Sequence, residues 1–306
     1  SIIWRWGSTG SRDTNEGSDM MRFFSIGIEE NNLDLKESIL RKINDTKPEE
    51  FVIEEKKAGN LLFINYILYN PYSSGPWNLV REKLQHHIAD IVTDLILNDM
   101  QKEIIERIIR DEFFYFEKED MKHICKEVLA AILGERNGEN RLSGLKNSWH
   151  SRIRERLIEH LDTNSEIIIE GFIRFRLKDF TKELIQGIGS IADELLIEKE
   201  YNEFIKLLRY FVEIQEPKIS EVHVVVEDDR RYVLLDDSYR VINNDILKEL
   251  AKEISDKEIS YDDLLISSLI TIAPSKITIH DCEKIKNTEL LNTINKVFRG
   301  KVSYEP

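Results

Sequence analysis

A run of cations in an acidic chain is the first chemistry the sequence offers. Residues 141–160 hold Arg141, Lys146, Arg152, Arg154 and Arg156 against only Glu155 and Glu159. Arg174, Arg176 and Lys178 follow, and Arg209 comes one stretch later. Guanidinium groups grip phosphate oxygens through paired hydrogen bonds, so clustered arginine suits an anion or a nucleic acid. Trp149 and His150 would add a stacking face. Helical geometry works against full convergence, because residues two apart on a helix point to nearly opposite sides. Arg174 and Arg176 would converge only if Phe172–Lys178 were a strand, and the unbroken pattern downstream favours a helix. The plainer reading is that these arginines pair with nearby carboxylates, as Arg174 would with Glu170 one turn away.

Two further constellations combine imidazole with carboxylate. His86, Asp90 and Asp94 lie four residues apart on one helical face and are weak candidates for a zinc, manganese or iron site. That face lies opposite the apolar Val80–Leu84–Ile88 stripe, so a solvated helix explains it equally well. His223 and His280 each fall in or at the end of an expected strand. Were those strands neighbours, both rings would share a face with Asp236 or Asp281 and allow acid–base work near neutral pH. No cofactor follows from the motifs: GxxxxGK[ST], GxGxxG after a strand, HExxH and GxSxG are all missing. Gln186–Gly189 follows a helix, the wrong setting for a nucleotide loop. Cys125, among Ile124, Val128 and Leu129, reads as an inert core thiol.

The elements that must carry these groups follow from periodicity. Arg22–Ile28 is a strand, Leu33–Ile43 a helix, and Phe51–Glu55 and Leu61–Tyr69 are strands joined at Gly59-Asn60. Val80, Leu84, Ile88, Ile91 and Leu95 then begin a helical region. Helices are predicted over 101–116 and 119–133, the latter stopped by Gly134, and over 149–161 after a Gly- and Asn-rich loop. Residues 165–215 form one long helical stretch, broken near Gly187-Ile188-Gly189, with Tyr201, Phe204, Ile205, Leu208, Phe211 and Val212 on a core-facing stripe. After Pro217, 221–226 and 232–235 make a hairpin turning at Asp228-Asp229. A helix over 245–254, a second opened by a Ser260/Asp263 capping box, a strand at 277–280, a helix at 288–298 and a last strand at 302–304 complete the chain.

The 306 residues carry 43 Lys and Arg against 57 Asp and Glu, a net charge of −14. Such a surface repels nucleic acid and anionic lipid, so either partner would need the local basic island. Two cysteines exclude a disulfide framework or a four-cysteine zinc site, and no apolar run approaches the ~20 residues of a membrane span. The expected class is α+β: residues 1–20 an aperiodic leader ahead of Met21, 21–72 a β-α-β-β module, 73–216 a predominantly helical centre and 217–306 an α+β module.

The segments IIEGFIRFRLKDF from 168 and LIEKEYNEFIKLLRYFVEIQEPKI from 196 are followed by VHVVV at 222–226, YDDLLISSLITIAP at 261–274 and ITIH at 277–280. In that order they resemble the YtxC-like family of sporulation-associated proteins, over roughly 21–304 and most sharply over 165–280. The resemblance implies a cytoplasmic bacterial protein linked to sporulation and supplies no catalytic residue. The leading expectation is a non-catalytic interaction or regulatory protein with a protein partner; a homo-oligomer is compatible with it. The alternatives are an anion- or nucleic-acid-binding module using 141–178, and an unrecognised hydrolase-type enzyme.

Overall fold

A computed structural model describes residues 20–30, 32–69, 77–135, 142, 144–226, 232–242, 260–285 and 287–305. The leader, Arg141, the 228–229 turn and the 245–254 helix lie outside the described residues, apart from Met20. Contacts gather the chain into two compact units, Ser1–Asp193 and Glu194–Pro306.

The first unit opens with β1 (Met20–Glu29), α1 (Leu33–Thr46), β2 (Phe51–Ala58) and β3 (Leu61–Tyr69). Asn32 caps α1 by accepting a hydrogen bond from the Leu35 amide at 3.1 Å, and Gly59 supplies the left-handed turn (φ 63°) between β2 and β3. β1 and β2 both pair antiparallel with β3. α2 (Trp77–Asp94) runs into a π-helical turn over Leu95–Asp99, and α3 (Gln101–Glu112), α4 (Lys118–Leu133) and α5 (Leu145–Thr163) follow. Gly134 ends α4 in the left-handed conformation, φ 75°.

Two corrections concern residues 165–215. Glu166–Ile168 is a short strand, β4, which pairs parallel with β1 through Ser25–Gly27 and completes a sheet ordered β2-β3-β1-β4. The helical stretch then breaks at Leu177, between α6 (Ile169–Arg176) and α7 (Lys178–Ile214), and α7 continues unbroken through Gly187-Ile188-Gly189. Gly187 is there for packing: a Cβ on it would lie 2.4 Å from Cγ and Cδ2 of the buried Leu142.

The second unit holds a sheet ordered β6-β5-β7-β8, from β5 (Glu221–Val226), β6 (Tyr232–Leu235), β7 (Lys276–His280) and β8 (Val302–Glu305). Alternation puts Val222, Val224, Ile277 and Ile279 on one face. There they pack with Leu265 and Leu269 of α8 (Tyr261–Ile272), Ile294 and Val297 of α9 (Thr288–Val297), and Ile205 and Val212 of α7. Ser260 opens α8 as a reciprocal cap: its hydroxyl accepts from the Asp263 amide at 3.2 Å and donates to the Asp263 carboxylate at 3.0 Å. The architecture is α+β and mostly helical, as expected.

Candidate functional site

The cations singled out in the sequence separate by partner. On α5, Arg152 donates twice to Glu183 of α7, at 2.8 and 2.7 Å, and the Trp149 indole N–H donates to the same carboxylate at 2.6 Å. Trp149 is fully buried and meets Phe180 edge-on at 5.1 Å, so its ring presents no stacking face. The hydrogen bonds from Arg152, then from Trp149, hold the Glu183 carboxyl below the usual carboxylate range. Arg154 points the other way, toward α2. Its Nε donates to Asp90 at 2.5 Å and its Nη2 to His86 Nδ1 at 3.1 Å, which leaves the His86 proton on Nε2. Arg156 faces Asp179 at 3.8 Å. Arg209, in the second unit, donates to the Lys296 carbonyl at 3.0 and 2.6 Å near the end of α9. These four guanidiniums are engaged by protein groups.

Arg176, Arg152 and Arg156 border a small cavity of about 270 Å³. Arg174 and Lys178 border a different cleft, and the Arg174 guanidinium sits 5.6 Å from the centre of the Phe175 ring. The two groups are thus parted, as expected for side chains two apart on a helix.

The His86/Asp90/Asp94 face is partly open to water, with the Asp90 and Asp94 side chains 57% and 41% exposed, and it is also crossed by cations. Asp90 and His86 receive Arg154, while Asp94 is bound by Lys42 and by the Asn98 amide. Lys42 also reaches Asp99 at 3.3 Å. Cations already hold this face together, which leaves its carboxylates spoken for. Cys125 is buried, and burial pushes its thiol up, in keeping with an inert core residue.

The two strand histidines do meet. β5 and β7 pair parallel, and His223 Nδ1 lies 3.0 Å from His280 Nε2 on the face away from the apolar core. His280 Nδ1 lies 3.5 Å from Glu305 Oε2, and His280 and Glu305 are register partners on β7 and β8. Tyr239, at φ 58°, stacks on the His223 ring at 4.4 Å. Thr278 donates to Glu221 at 2.7 Å beside them. One N–H fits between the two imidazoles, which form a hydrogen-bonded pair with the Glu305 carboxylate close to its outer end. The carboxylates expected here serve elsewhere. Asp236 accepts from the Ser238 and Arg240 amides, and Asp281 pairs with Lys284. Sequence reasoning missed Glu305, which lies one residue beyond the last strand expected at 302–304, and nothing local pointed to Tyr239 or Glu183.

With this geometry in place, the comparisons become informative. A family model described as the YtxC-like family matches residues 86–303, a span containing the segments that carry the resemblance. A protein of Bacillus subtilis (strain 168), "Uncharacterized protein YtxC", is 25% identical over 224 residues, covering 73% of this chain and 78% of that protein. No solved structure matches.

Proposed function

The chain belongs to the YtxC-like family, and from that premise we propose that it is a non-catalytic interaction protein of sporulating cells, acting through one face of α7. The link to sporulation is what the family resemblance implies. The observation that carries the interaction reading is an apolar seam left exposed among the described residues. Ile197, Phe204, Leu207, Phe211 and Ile214 are between 44% and 66% exposed. Their spacings of 7, 3, 4 and 3 place them on one side of the helix, as in the seams through which helices pair. The other side of the same segment is occupied: Tyr201, Ile205, Leu208 and Val212 pack into the core of the second unit. A contiguous exposed apolar stripe is unusual on a monomer and marks a surface meant to be covered. The engagement of Arg152, Arg154, Arg156 and Arg209 by protein groups favours this reading over a nucleic-acid interface built on those arginines.

The test is capture from sporulating cells with full-length bait, comparing the native chain with a Phe204→Glu/Phe211→Glu variant. Both rings are exposed, so the thermal midpoint should hardly move while the partner is lost. Capture of nothing reproducible by the native chain, or equal capture by both, would overturn the proposal.

A further inference from the structure

The cleft bordered by Arg174 has a volume of about 600 Å³, within the range of small-molecule sites. It lies wholly in the first unit, between α3 and the α6–α7 corner. Arg107, Arg174, Lys178 and Lys182 surround it, and among the described residues none of the four forms an ion pair. That contrasts with Arg152 and Arg154 nearby, whose charges are met. Phe175, 64% exposed, stands at the rim beneath the Arg174 guanidinium. The wall also holds a polar atom without a partner. Glu170 accepts from the Glu29 amide through Oε1 at 3.4 Å, whereas Oε2 is buried and unbonded among the described residues. Buried polar atoms are nearly always satisfied, so such an orphan calls for a ligand or water to complete it.

From these groups we infer that the cleft binds a phosphate-bearing small molecule with a planar ring, the chemistry of a nucleotide. Unpaired cations attract the phosphate oxygens, with Arg107 and Arg174 offering forked donors and the two lysines point charges. The Phe175 face and the Arg174 plane receive the ring. The carboxylates Glu29, Asp111 and Glu112 also border the cleft and supply acceptors for sugar hydroxyls. Glu170 also borders the cleft, and burial pushes its carboxyl up from the usual carboxylate range. This inference stands apart from the α7 seam, and either can fail without the other.

Calorimetric titration of the full chain at low ionic strength, with ADP, adenosine and inorganic phosphate as separate probes, tests it. ADP should bind, and adenosine and phosphate should each bind roughly tenfold or more weakly. A charge-reversed Arg174→Glu/Lys178→Glu variant should lose ADP binding by roughly tenfold or more while keeping its helical spectrum. Lys182→Glu alone serves if that double variant loses the spectrum. Phe175→Ala should weaken ADP and leave phosphate unchanged. Absence of ADP binding by the folded chain, equal affinity for phosphate and ADP, or undiminished binding by the charge-reversed variants would overturn the inference.

Discussion

Glu183 shows how one carboxylate decides the fate of a conspicuous arginine. It takes two hydrogen bonds from Arg152 and one from Trp149, tying α5 to α7. Its depressed folded pKa makes this tie worth most above the ordinary carboxylate value of 4.5, with the contribution lost as pH falls through the lower folded value. Arg152 and Glu183 are 42% and 32% exposed, so solvent screens the pair and the worth is about 1 kcal/mol. Urea unfolding of Glu183→Gln should show that loss at pH 7 and a smaller difference from the native chain below pH 4. An unchanged difference at both pH values would contradict the assignment. The arginine cluster was legible in the sequence because charge type is local. Its partners were not, since Glu183 lies 31 positions beyond Arg152 and nothing short-range links them.

At the scale of elements, periodicity located most helices and strands, and failed where packing overrode it. Glu166–Ile168 is too short to show an alternation, yet Ile167 is buried and the segment joins β1. The glycines at 187 and 189 look like helix breakers because propensity disfavours them there. What the sequence hides is Leu142, whose side chain takes the space a Cβ at 187 would need. Gly187→Ala should therefore destabilise by about 1–3 kcal/mol despite alanine's better helix propensity. Adding Leu142→Ala should make the alanine at 187 less costly, a coupling that a double-mutant cycle in urea would read directly. Additive effects would remove the packing explanation. The reverse error, expecting a helix break at 187–189, placed it ten residues beyond the real one at Leu177.

At the scale of the whole molecule, the order of periodic segments was sufficient to expect an α+β chain, and the lack of a long apolar run to expect no membrane-spanning helix; among the described residues no helix is long and apolar enough to cross one. Module boundaries are less local. The proposed C-terminal module begins at 217, but Ile205 and Val212 of α7 belong to the same apolar cluster as its strands. A fragment of residues 194–306 should unfold cooperatively with a resolved near-ultraviolet signal, and 217–306 should be markedly less stable. Equal stability would support the boundary at 217. The parallel pairing of Ser25 with Glu166 has its own consequence for biosynthesis. On a ribosome adding roughly 5–20 residues per second, β1 would wait on the order of ten seconds before its second neighbour emerged. Through that interval the nascent chain carries an uncovered sheet margin, open to misjoining with another chain.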